Sequence, residues 1–344
     1  MRALVLSGGG ARGAYEAGVI QGLHEADHTY DLICGTSIGA LNGSFVAAQK
    51  FDDLAATWHS IASRDVIALL PLVQRLQALG NDIIALSRGT VFERFKDLTG
   101  AVAEFEQLGP LSNLFGLMGA IDPTHIEAVL SDHVDFSALN TALIVSGTNL
   151  TDGQSDAFYF FPSADAAAAF AAKHDKGTAH PLTAAIFRDA VRASAAIPFA
   201  FAPVQIQTGT APAGYVDGGV ANNTPIGQAI DAGADDVTVI FMDPTPTLQP
   251  QSISNLAQVG LGCFGIMQQR ILNLDITNAQ RVNRAIDAGN GGIGSAGVAR
   301  RKVGLHFVRP KQPLPVTVLQ FDRQDLIEQA YALGQADAKS LQDL

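Results

Sequence analysis

The chain has 344 residues, of which 47% are hydrophobic and 16% charged, and its formal net charge is −11. Such apolar content suits a globular chain, either one large elaborated domain or two, and not a disordered one. The acidic balance argues against a nucleic-acid binder and against polybasic docking to anionic membranes, because both need clustered Lys and Arg. Two cysteines, Cys34 and Cys263, make neither a disulfide scaffold nor a zinc spacing.

In chain order, "RALVL" (2–6) reads as a short buried parallel strand. "GGGARG" (8–13) follows, and "ARGAYEAGVIQGLHEAD" (11–27) places Ala14, Ala17, Val19, Ile20 and Leu23 at helical spacing. "YDLIC" (30–34) is a second strand with Cys34 as a small buried side chain, and "SIGALNGSFVAAQ" (37–49) a second helix. Strand, helix, strand, helix is the pattern of an α/β fold on a parallel sheet. Residues 52–135 read as a mainly helical insertion broken by Pro71, Gly80, Gly100, Gly109 and Pro110. Strands return at 141–150 and 157–161 around the turn-like "TDGQ". A helix is expected at 182–197, ending before Pro198. "AGYVD" (213–217), a helix at 225–234 and "DVTVIFMD" (236–243) are expected to form a further βαβ unit. A helical tract (252–288), a glycine-rich loop (289–297), a late strand (302–310) and a last helix (324–341) close the chain. The expected division is a catalytic domain over 1–245 and a helical extension with a late strand over 246–344, packed on it or continuous with it.

The N-terminal apolar stretch is too short for a secretory signal, and no run reaches the roughly 18 apolar residues of a membrane span. The expected location is cytoplasmic, with peripheral membrane contact and signal-independent export left open.

Gly8, Gly10 and Gly13 fit G-x-G-x-x-G between a strand and a helix, so dinucleotide binding by an oxidoreductase is one reading. That reading needs an acidic residue ending the second strand. Asp31 stands at its beginning, and the strand ends in Cys34-Gly35-Thr36-Ser37. Gly35-Thr36-Ser37-Ile38-Gly39 is instead G-x-S-x-G, whose chemistry needs a serine on a sharp strand-to-helix turn with small neighbours. Both loops fall at the same edge of a parallel sheet. The glycine loop can then serve as an oxyanion hole, with Gly9 and Gly10 N–H groups as donors and a methyl at Gly10 expected to intrude on the carbonyl oxygen. Arg12 either adds positive charge there or faces solvent. Asp217, ending a strand at the Gly218-Gly219 turn, is a candidate general base. An ordinary α/β-hydrolase triad would instead need a late histidine. The one available, His306, lies inside an apolar strand-like run and reads better as structural.

Four blocks, in order, resemble the patatin-like phospholipase family. Gly8-Gly9-Gly10-Ala11-Arg12-Gly13 resembles its oxyanion loop and Gly35-Thr36-Ser37-Ile38-Gly39 its nucleophile elbow. Ala193-Ser194-Ala195-Ala196-Ile197-Pro198 resembles its A-S-x-x-P block. Asp217-Gly218-Gly219 with Asn222-Asn223-Thr224-Pro225 resembles its dyad aspartate region. The blocks run from 8 to 225. The resemblance implies a three-layer α/β fold with a mostly parallel sheet and a Ser37–Asp217 dyad at the C-terminal edge of the strands. It also implies a lipid acyl hydrolase that needs neither metal nor cofactor, with a lipid or fatty-acyl ester as its partner. The apolar segments at 66–73, 114–121 and 261–267 are candidates for an acyl channel or an interfacial lid, though each alone reads better as ordinary helix core.

Overall fold

The computed structural model describes residues 1–64, 133–174, 177–198, 201–244, 256–289, 301–318 and 320–343. The two apolar segments at 66–73 and 114–121, and most of the expected insertion, lie outside the described residues. Elements are numbered below among the described residues.

Strand β1 (Arg2–Leu6) pairs in parallel with β2 (Leu32–Thr36) on one side and β8 (Asp236–Ile240) on the other. Strand β2 pairs in parallel with β3 (Ala142–Asn149), and β8 with β9 (Gly304–Val308). Strand β4 (Ser155–Phe160) returns antiparallel to β3 around the "TDGQ" turn, and β5 (Ala179–Pro181) extends that edge. A two-residue strand β10 (Gln342–Asp343) closes the far edge beside β9.

Alternation along β1 shows why three layers form. Leu4 and Leu6 belong to one apolar cluster, while Ala3 and Val5 belong to the other. The first cluster takes α1 (Gly13–Glu25), α2 (Ile38–Ala47), α3 (Phe51–His59), α5 (Phe187–Ser194) and α8 (Gln324–Asp337) through residues such as Tyr15, Phe45, Trp58, Phe187 and Ile327. The second takes α4 (Ala164–Ala171), α6 (Ile226–Ala232) and the 32-residue helix α7 (Leu256–Asp287) through Phe170, Ile226, Leu272 and Ile276. Period-two strands thus bury both faces, as a mostly parallel sheet requires.

The expected βαβ unit at 213–243 is not formed. Strand β7 (Pro212–Asp217) hairpins with β6 (Val204–Gln207) and runs antiparallel to β3, while β8 lies across β1. The reason lies in register. Residues Ala142–Ser146 of β3 are taken by β2, and Gly147–Asn149 extend beyond its end, where β7 pairs with them. Strand β7 therefore arrives head-on, in line with β2. The helix expected at 182–197 is shorter, because residues 183–186 form a turn before α5. Among the described residues no helix is long and apolar enough to cross a membrane.

Candidate active site

The head-on meeting of β2 and β7 creates the site. Thr36 stands opposite Ser146 and Asp217 opposite Gly147, adjacent positions on β3. One further residue along β2, roughly 3.3 Å, brings Ser37 onto Asp217 although 180 residues separate them. The Ser37 hydroxyl donates to Asp217 Oδ2 at 2.6 Å, and both residues are buried, at 3% and 0% exposure.

Ser37 has φ 57° and ψ −127° at the N-cap of α2. A non-glycine residue in that conformation costs on the order of 1–3 kcal/mol, so the surroundings must impose it. Gly35 lies against the Gly39 carbonyl, where a Cβ would collide, and a Cβ on Gly39 would stand 2.5 Å from the Leu6 carbonyl. The two glycines let α2 turn back tightly onto β1. The Ser37 N–H donates to Ser194 Oγ at 2.9 Å, and the Ser194 hydroxyl donates to the Ser146 carbonyl at 2.5 Å. Ser194 thus fastens the elbow to β3. Its block is visible in the sequence, but this role is not.

Asp217 Oδ1 accepts from the Gly219 N–H at 2.7 Å, which fixes the carboxylate across the turn. Burial pushes the Asp217 carboxyl up to about 7, against the hydrogen bonds from Ser37 and Gly219 that pull it down. A carboxylate so destabilised is a stronger base than an exposed one. Gly218 fits against the Ser146 carbonyl, leaving no room for a side chain.

The glycine loop borders this pair. A Cβ built on Gly8 would come 3.1 Å from Ser37 Cβ. The Gly8 N–H donates to the Asn223 carbonyl at 3.1 Å, and Asn223 Nδ2 donates to the Gly8 carbonyl at 3.4 Å. The Gly9 carbonyl accepts from Arg12 N and Nε, both at 3.3 Å. In a trans peptide the N–H points opposite to the C=O. Holding the Gly8 and Gly9 carbonyls therefore aims the Gly9 and Gly10 N–H groups the other way, and neither donates to a partner among the described residues. Within the loop these two N–H groups are the uncommitted ones. The Gly8 N–H is committed, and so is that of Gly13, which bonds back to the preceding turn. Arg12 is neither solvent-facing nor a free charge: its guanidinium pairs with Asp243 at 2.7 Å and braces the loop.

Gly10 has φ 58°, and a Cβ there would run into the Val318 carbonyl. The cost of a methyl at Gly10 thus comes from the 316–318 segment and the backbone, not from intrusion on a bound carbonyl oxygen. Below the loop, Asn42 donates to Glu16 Oε2 (2.8 Å) and the Gly13 carbonyl (3.1 Å) and accepts from Trp58 Nε1 (2.9 Å), tying α1, α2 and α3 together. Burial pushes the Glu16 carboxyl up to about 8.

The remaining candidates fall elsewhere. Asp31 accepts from the Arg2 N–H at the opposite end of the strands from the glycine loop. His306 sits in the middle of β9, paired to Thr238, and its Nε2 contacts Asp236 at 3.1 Å. Three strand spacings of roughly 4.8 Å separate β9 from β2. Of the 261–267 segment, Ile266 is exposed on α7. One turn contact had no sequence signal: Gln268 of α7, 8% exposed, places its amide against Gly219. Among the described residues no group of three or more His, Cys, Asp or Glu is placed to hold a metal ion.

Comparison with known proteins matches residues 4–230 to the family described as patatin-like phospholipase. An uncharacterized NTE family protein of Mycobacterium tuberculosis is 36% identical over 106 residues, covering 31% of this chain and 28% of that protein. The lysophospholipase nte1 of Aspergillus terreus is 59% identical over 44 residues, 13% of this chain and 3% of that protein. The matched part thus spans less than a third of the length of these curated relatives. VipD from Legionella pneumophila aligns over 100% of this chain and 68% of that one at 16% identity, with a TM-score of 0.41.

Proposed function

The chain belongs to the patatin-like phospholipase family, and from that premise we propose that it is a serine lipid acyl hydrolase acting on fatty-acyl esters. The observation that carries the reading is the 2.6 Å bond from Ser37 Oγ to Asp217 Oδ2 at a residue held with φ 57°. Asp217 takes the hydroxyl proton as Ser37 Oγ attacks the ester carbonyl carbon. The tetrahedral oxygen gains negative charge beside the Gly9 and Gly10 N–H groups, and the N-terminus of α2 adds a favourable dipole. Collapse of the intermediate breaks the bond to the alcohol, which leaves with the proton from Asp217. An acyl-Ser37 remains, and water, deprotonated by Asp217, releases the fatty acid.

The lysophospholipase name of the Aspergillus relative supports a lipid ester as substrate. The dinucleotide reading needs an acidic residue closing β2, which ends instead in Cys34-Gly35-Thr36, and the triad reading finds its histidine in the middle of β9. The test is release of fatty acid from phospholipid and lysophospholipid vesicles by wild type and Ser37→Ala. Wild type is expected to hydrolyse and the variant to lose activity. A variant retaining more than about a tenth of the rate would sink the assignment, since nucleophile removal normally costs orders of magnitude.

A further inference from the structure

Two polar side-chain atoms converge with a carboxylate oxygen of the base. A Cβ built on Gly219 would stand 2.7 Å from Asn223 Oδ1, 2.9 Å from Asp217 Oδ1 and closer still to Gln268 Nε2. Asn223 is 6% exposed, and its Oδ1 is buried without a hydrogen-bond partner among the described residues. The same atom also faces the nucleophile: a Cβ on Gly8 would collide with it while lying 3.1 Å from Ser37 Cβ. The side-chain orientation is fixed, because Asn223 Nδ2 is turned to the Gly8 carbonyl. A buried acceptor left without a partner is costly, so an atom kept in that state beside nucleophile and base calls for a partner that comes and goes.

We propose that Asn223, Gln268 and Asp217 hold the water that releases the acyl group from Ser37, an inference that rests on the serine-hydrolase reading above. Water needs two to four polar partners to be held. Here Gln268 Nε2 donates to its oxygen, while Asn223 Oδ1 and the Asp217 carboxylate accept its two protons. The second glycine of the turn is needed for the same reason, since a methyl there would fill the meeting point of the three groups. In the step itself, the water oxygen bonds to the acyl carbon as Asp217 takes one proton. The C–Oγ bond then breaks, Oγ recovers that proton, and the carboxylic acid departs. Gln268 and Asn223 exchange no proton: they are positioning residues that act on deacylation and not on acylation.

The test compares wild type and Gln268→Met on a p-nitrophenyl ester by stopped flow, with intact-mass detection of acyl-Ser37. The substitution keeps the side chain's length on a surface helix and removes its donor. The expected result is an unchanged burst of nitrophenol, steady-state turnover lower by about 10²-fold, the cost of misplacing a reacting group by roughly 1 Å, and accumulation of acyl-Ser37. Hydroxylamine, a stronger nucleophile than water, should restore product release. Parallel loss of burst and turnover, or unchanged turnover, would overturn the water assignment while leaving the hydrolase reading intact. Failure of both proteins to form any acyl-Ser37 while the ester is hydrolysed would overturn both.

Discussion

Replacing Asp217 by Asn should abolish turnover and yet stabilise the protein, by an amount that depends on pH. An amide preserves the shape of the carboxyl group and still accepts from Gly219, but it cannot take the Ser37 proton. The stability effect follows from linkage. An unfolded aspartate ionises near about 3.9, whereas the buried Asp217 holds its proton up to about 7. Between those values the folded state binds more protons than the unfolded one, so stability falls as pH rises. The contribution is fully present below about pH 4 and gone above about pH 7. Roughly three pH units at 1.36 kcal/mol each give about 4 kcal/mol as an upper bound on what ionised Asp217 costs the wild type at pH 8. The variant has no such loss. Other buried acids, such as Glu16, are common to both proteins and cancel in the difference. The assay is paired urea denaturation of wild type and Asp217→Asn at pH 5 and pH 8. The variant's advantage should be larger at pH 8 by one to a few kcal/mol, and wild-type kcat/KM should fall on the acid side with a midpoint near 7. An advantage equal at both pH values, or an activity limb near 4, would refute a raised carboxyl at Asp217.

Ser194→Ala leaves the Ser37 N–H and the Ser146 carbonyl without their partner, at about 1–3 kcal/mol for a buried orphan; kcat should fall with the elbow loosened, and an unchanged kcat and denaturation midpoint would remove Ser194 from the site. Gly10→Ala should lower the thermal midpoint as well as turnover, because it meets the Val318 carbonyl at a positive φ; loss of turnover at an unchanged midpoint would contradict that cause. His306→Ala should keep wild-type turnover, and a folded variant as inactive as Ser37→Ala would instead favour a histidine-dependent triad.

The α/β class and the two loops of the site are legible in sequence, for a physical reason. Short apolar strands ending in glycine loops must place those loops at one sheet edge, so "GGGARG" and "GTSIG" had to be neighbours. The direction of β7 is not legible, because the local pattern of "AGYVD" is the same for a parallel and an antiparallel strand. Its place depends on the three residues by which β3 outruns β2. Arg12 is visible as a charge beside the loop, but its pairing with Asp243 spans 231 residues. Gln268 leaves no mark on the linear pattern, since its role depends on how a 32-residue helix lies across the Gly218–Gly219 turn.

The most direct test of the account is covalent labelling of the native protein with a fluorophosphonate probe, followed by mapping of the modified peptide. The prediction is a single adduct on Ser37, absent from Ser37→Ala and strongly slowed in Asp217→Asn, because the attacking hydroxyl then has no base. An adduct on another serine, or no adduct in a folded protein that still hydrolyses esters, would contradict the Ser37–Asp217 assignment.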